Sequence, residues 1–114
     1  MQIRIINKKK EWKNLLKSAG TDFEIIVYKY SPTCALSNYT DAVIDDWCKS
    51  LDKNKDQVLI KVDVVNSKPL SKLIEKELKV KHESPQLIWL NSYKKLKYLA
   101  SHYDITVEGL NKHL

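Results

Sequence analysis

Chain breakers are scarce in this sequence. It holds 2 glycines and 3 prolines in 114 residues. That excludes a collagen-like, linker-rich or low-complexity chain and leaves most of the length to regular structure. Cysteine is too rare for a disulfide framework. Cys34 and Cys48 are the only two, which suits a reducing compartment, and no Cys-x-x-Cys pair seeds a zinc site. Arginine is nearly absent, with Arg4 alone among 20 basic residues. The net charge of +6 therefore sits on scattered lysines. Nucleic-acid readers use arginine forks and clustered aromatics instead, so the charge reads as a solvated surface. No apolar run has the length of a membrane span or a signal-peptide core. The expectation is a cytoplasmic, monomeric chain with no membrane, nucleic-acid or metal partner.

What is present suffices for one domain, residues 1–114. Apolar residues make up 43 % of the chain, enough for a buried core at this length. Gln2 to Ile6 reads as a short strand, and Asn7 as the cap of a helix burying Trp12, Leu15, Leu16 and Ala19. Gly20 stops that helix. Phe23 to Tyr30 is nearly continuous in apolar, β-branched and aromatic residues, as in a strand covered on both faces. A second helix follows Pro32 and runs to about Leu51, with apolar positions at 36, 39, 43, 47 and 51. Asp52 to Asp56 reads as a charged loop. Gln57 to Val65 is a strand, and Asn66 or Ser67 caps a helix with Pro69 in its first turn and a stripe of Leu70, Leu73, Ile74 and Leu78. A hairpin follows, Leu87 to Leu90 paired with Leu96 to Ala100. Thr106 opens a last helix burying Val107, Leu110 and Leu114. The order is β-α-β-α-β-α-β-β-α. It implies an α/β domain with a mixed central sheet and helices on both faces.

Cys34 lies where the central strand ends and a helix begins. Free N–H groups and the helix dipole favour the thiolate there, and the thiolate is the nucleophile. Ser37 stands one turn on and forms a Cys-x-x-Ser motif; its hydroxyl can bond the sulfur but cannot form a disulfide. Cys48 lies 14 positions further along the helix, about 21 Å away at 1.5 Å per residue. A disulfide needs Cα atoms within about 7 Å. Cys48 is read as packing beside Trp47, and Trp47 and Trp89 as core residues. His102 is read as structural, satisfied by a backbone carbonyl. In open α/β sheets a site lies beyond the carboxyl end of a strand, and Cys34 occupies such a place.

Four pieces stand out: Ser31-Pro32-Thr33-Cys34 with Ser37, Val62-Asp63-Val64, Val80 to Gln86, and Ala100-Ser101-His102-Tyr103 followed by Ile105-Thr106. Together they resemble the monothiol bacilliredoxins, redox proteins of thioredoxin-like fold. They fall in the family's order and span nearly the whole chain. The resemblance implies a cis-proline at Pro85 facing Cys34. It implies that Cys34 removes bacillithiol from mixed disulfides on oxidised client proteins, with bacillithiol as co-substrate and no bound cofactor. Thr33 and Ser37 would orient the sulfur, and backbone beside Pro85, chiefly at Ser84, would pair with the client. Lys29, Lys81 and His82 are the candidates for meeting bacillithiol carboxylates. Ala35 stands where the family usually has proline, restoring an N–H near the sulfur. Two other readings stay open: a glutaredoxin-like general monothiol oxidoreductase, and a non-catalytic adaptor of the same fold.

Overall fold

A computed structural model describes residues 1–51 and 56–114. Its elements are β1 (Gln2–Ile5), α1 (Lys9–Ala19), β2 (Glu24–Tyr30), α2 (Ala35–Lys49), β3 (Gln57–Asp63), α3 (Lys68–Leu78), β4 (Gln86–Leu90), β5 (Leu96–Ser101) and α4 (Val107–Asn111), with a 3-10 turn at His102–Asp104 before α4. The five strands form one sheet in the order β1-β3-β2-β4-β5. β3 pairs in parallel with both β1 and β2, while β4 runs antiparallel to β2 and to β5. β2 is therefore the middle strand, and its residues Ile25 to Lys29 are all buried.

Alternation along the strands divides the core. Ile25, Val27, Val58, Ile60 and Val62 pack with Trp12 and Leu15 of α1 and Leu70 and Ile74 of α3. On the other face Ile26, Tyr28 and Leu59 pack with Ile44 and Trp47 of α2 and Leu110 of α4. Each buried indole N–H finds an acceptor: Trp12 donates to Glu77, Trp47 to Asn111 and Trp89 to Glu24. Gly20 ends α1 at φ 52° and ψ −127°, a conformation that favours glycine.

Some local expectations shift. Asn7 precedes the N-cap position, which Lys8 holds. The Glu11 carboxylate accepts the backbone N–H of both Asn7 and Lys8. β3 stops at Asp63 because that carboxylate accepts the N–H groups of Val65 and Asn66 and turns the chain. Ser67 takes the N-cap position of α3 without a side-chain bond, and Asn66, the other candidate, has its side chain held by Asp63. The buried face of α2 is not the apolar series at 36, 39, 43, 47 and 51. It is Ser37, Thr40, Ile44, Trp47 and Cys48, while Tyr39 is 60 % exposed. Hydroxyls can line a buried face when they are hydrogen-bonded. Thr40 Oγ1 donates to the carbonyl of Ser37 at 3.1 Å and meets the Tyr28 hydroxyl at 2.7 Å. The last helix has only five residues. It therefore buries Leu110 alone and leaves Val107 and Leu114 exposed. The charged segment at 52–55 lies outside the described residues.

Candidate functional site

β1, β2 and β3 are parallel, so their carboxyl ends share one end of the sheet, where α1, α2 and α3 all begin. β2 passes through Ser31-Pro32-Thr33 to Cys34, which holds the N-cap position of α2 in extended conformation. The Cys34 N–H donates to the Ser31 carbonyl at 3.2 Å, closing the turn. Cys34 is partly exposed. Its pKa is lowered, first by the Ser37 backbone N–H, then by that of Leu36, and least by the Ser37 hydroxyl, against a smaller desolvation cost. These are the second and third helical residues, whose N–H groups a capping side chain ordinarily satisfies. Cys34 forms no side-chain cap hydrogen bond, so these N–H groups favour its thiolate as nearby partial positive charges.

The Ser37 hydroxyl is itself buried and accepts the backbone N–H of Ser31 at 3.1 Å. Below it, the buried Tyr28 hydroxyl meets Thr40 and donates to Asp41. The first turns of α2 are thus tied to the middle strand.

β4 begins at the same end of the sheet. Gln86 pairs with Lys29, so Ser84 and Pro85 continue β4 back past the point where β2 leaves for Cys34. The Ser84–Pro85 peptide is cis. The Pro85 carbonyl accepts the N–H of His102 at 2.9 Å. Gln86 braces the loop from within: its Nε2 donates to the Lys81 carbonyl at 2.9 Å, and its Oε1 accepts the Glu83 N–H at 3.4 Å. The Ser84 hydroxyl is buried without a hydrogen-bond partner.

Residues 4–110 match the family model described as monothiol bacilliredoxin BrxC. The chain belongs to the monothiol bacilliredoxin family. Solved structures agree on the fold. One described as having a thioredoxin fold superposes with a TM-score of 0.81 at 22 % identity, covering 97 % of this chain and 92 % of that one. Thioredoxin O1 from Arabidopsis thaliana, in its oxidised state, gives 0.75 at 17 % identity over 100 % and 98 % of the two chains. Fasciola hepatica thioredoxin gives 0.73 at 15 % identity over 97 % and 99 %. The sheet and its helices are a thioredoxin-like α/β fold, and a bacilliredoxin of this fold has a redox role.

The bacilliredoxin residues singled out in the sequence fall into three groups. Cys34, Ser37 and Thr33 come together at the start of α2, but the Thr33 hydroxyl pairs with Ser31 Oγ at 3.2 Å. Ser84, Pro85, Lys81 and His82 lie on the loop before β4, with Lys81 and His82 exposed. Lys29 meets the second group only from beneath, with its Nζ 3.4 Å from His82 Nδ1. It is fully buried, because β2 alternation turns it inward beneath α3, so it presents no surface ammonium to a ligand. His102 is held through its backbone N–H, with its side chain exposed. Among the donors that lower the Cys34 pKa, Ala35 does not figure, so replacing proline there leaves those donors in place. Two features escaped the sequence reading, the Tyr28–Thr40–Asp41 bundle and the Gln86 brace. The signal for both was a polar side chain in a position that packing had to bury.

No helix among the described residues is long and apolar enough to cross a membrane. No cluster of three or more metal-ligating side chains occurs among them either. Cys48 is buried, and burial pushes its thiol up to about 11.

Proposed function

We propose that this bacilliredoxin is a monothiol thiol–disulfide oxidoreductase that removes bacillithiol from protein mixed disulfides. The observation that carries the reading is a partly exposed thiol at a helix N-cap, its pKa lowered by main-chain N–H groups, with serine at the third position beyond it. The Cys34 thiolate attacks the bacillithiol sulfur of a protein–S–S–bacillithiol bond. That S–S bond breaks, the client thiolate leaves and takes a proton from solvent, and Cys34 holds bacillithiol as a mixed disulfide. A second bacillithiol thiolate then attacks the bound bacillithiol sulfur. Bacillithiol disulfide departs and the Cys34 thiolate returns. The client sulfur is reduced to a thiol and one free bacillithiol is oxidised, joining the bacillithiol already at disulfide level, so the electrons balance. Ser37 supports the second step by absence, since a serine cannot resolve the mixed disulfide.

Client backbone pairs with Ser84 as an added strand does. The exposed Lys81 meets a bacillithiol carboxylate by charge, and the exposed His82 does so as a neutral ring donating its N–H. The site works in the cytoplasm on bacillithiolated client proteins, with the chain as a monomer.

The test mixes the protein with bacillithiolated and glutathionylated forms of one client and follows released thiol. Turnover with the bacillithiolated client, supported by free bacillithiol, is expected. Equal turnover with both clients replaces the reading with a general monothiol oxidoreductase. A Cys34 adduct with no turnover replaces it with an adaptor.

A further inference from the structure

Lys29 is a buried amine that the exchange steps leave unused. Along β2 it follows Ile25 and Val27 on the side packed by α1 and α3, where an aliphatic residue is the ordinary choice. It has 0 % exposure. Its Nζ donates to the Ser71 carbonyl at 3.2 Å and lies 3.4 Å from His82 Nδ1. No carboxylate lies in ion-pair range of Nζ among the described residues. Glu75 favours the charge only from a greater distance, and burial lowers the lysine pKa. A buried ammonium without a close carboxylate costs stability. Its presence calls for a gain elsewhere, and its polar contacts point to where.

With Lys29 as an ammonium, which only donates, His82 Nδ1 is the unprotonated ring nitrogen and Nε2 carries the proton. Ser71 Oγ lies 3.5 Å from the same Nδ1. The His82 backbone N–H donates to Glu75 Oε2 at 2.8 Å. The first part of the loop is thus held twice, by β2 through the ring and by α3 through the main chain. Two residues further on lies Ser84.

We propose that Lys29 is a positioning residue, a buried strut from the middle strand that sets the loop carrying Ser84 and Pro85 through a neutral His82, and that client handling weakens when His82 is protonated. The proposal rests on the exchange reading above and assigns Lys29 a place in it without contact to the substrate. The groups facing the His82 ring and backbone are Lys29 from β2, Ser71 and Glu75 from α3, and Glu83 from the loop. Burial and Lys29 lower the His82 pKa, while Glu75 and Glu83 oppose them. The imidazole is therefore neutral at pH 7 and gains its proton below the ordinary value of about 6.5. A second cation then faces Lys29 and Nδ1 can no longer accept.

The test compares wild type with Lys29→Met, which keeps length and apolar bulk while removing charge and donor. His82 is titrated by NMR, amide exchange is followed at residues 82–84, and exchange kinetics are measured with a bacillithiolated client. The expected result has three parts. His82 titrates higher in the variant, loop amides exchange faster, and KM rises by roughly fivefold to tenfold, the scale of one lost hydrogen bond. Meanwhile Cys34 alkylates at the wild-type rate and melting temperature does not fall. An unchanged His82 titration with unchanged loop exchange overturns the proposal, whatever the kinetics. If wild type shows no turnover, the exchange reading fails by itself, and titration and amide exchange still decide the strut. If Lys29→Met does not fold, wild-type amide exchange corrected for intrinsic rate decides. Residues 82–84 must loosen as His82 protonates, and protection that is flat through that titration refutes the strut.

Discussion

Ser37→Ala separates two jobs that one hydroxyl could do. Sequence reasoning gives Ser37 the sulfur as its partner, whereas the structure turns its Oγ chiefly to the Ser31 N–H at 3.1 Å. Alanine leaves that N–H without its acceptor at a half-buried turn, a loss of about 1–2 kcal/mol. Unfolding entropy near ~2.1 cal/mol/K per residue gives roughly 0.24 kcal/mol/K for a chain of this size, so the melting temperature should fall by about 4–8 °C. The thiolate should lose little, because the Ser37 and Leu36 backbone N–H groups outrank the hydroxyl among the groups lowering its pKa. The assay pairs thermal unfolding with pH-dependent alkylation in a Cys48→Ala background. A Cys34 pKa that rises to the free-thiol value while melting is unchanged would refute the reasoning, because the side chain would then be the thiolate's main support.

Cys48→Ala should keep exchange activity, checked by thiol release from a bacillithiolated client, since burial holds Cys48 protonated at neutral pH. The same substitution should remove an alkaline weakness. Folded Cys48 titrates at about 11 against an ordinary 9.0, so between those values the unfolded chain has lost a proton that the folded chain keeps, and wild-type stability falls as pH rises. Denaturant titrations at pH 8 and pH 10.5 should show a smaller drop for the variant. Cys34 works with the opposite sign, its stabilising contribution growing as pH rises through its lowered folded pKa, and mass analysis should find one bacillithiol adduct on wild type and none on Cys34→Ser. Ser84→Ala should leave exchange and melting within experimental error or raise melting slightly, because the hydroxyl it removes is buried and unpartnered. Gly109→Ala should lower the melting temperature, since a Cβ there meets Tyr98 Oη at 2.7 Å and Tyr98 is stacked on His113.

The element order was legible because each strand carries its own apolar signature and the helices between them have clear starts. Cys34 was legible for the same reason, as strand end and helix start fix its position whatever the tertiary detail. The buried face of α2 was not. Counting apolar spacing found Tyr39 and passed over Ser37 and Thr40, whose burial depends on partners from β2 that helix periodicity cannot see. Lys29 misled in the same way. A lysine beside a proposed site reads as a surface cation, and only the strand alternation together with α3 overhead turns it inward. Val107 and Leu114 were assigned to a helix longer than the one that forms. For α2 and Lys29 a contact distant in sequence decided the outcome, while the last helix is shorter than its apolar spacing suggested.

The groups that lower the Cys34 pKa belong chiefly to the main chain. Every residue other than proline supplies an N–H at positions 36 and 37, so this part of the electrostatics carries almost no sequence requirement. Selection is then free to change the side chains at 35 and 36, and with them the surface beside the thiol. A lineage can retarget its thiol in this way while the ionisation of that thiol stays inherited from the backbone.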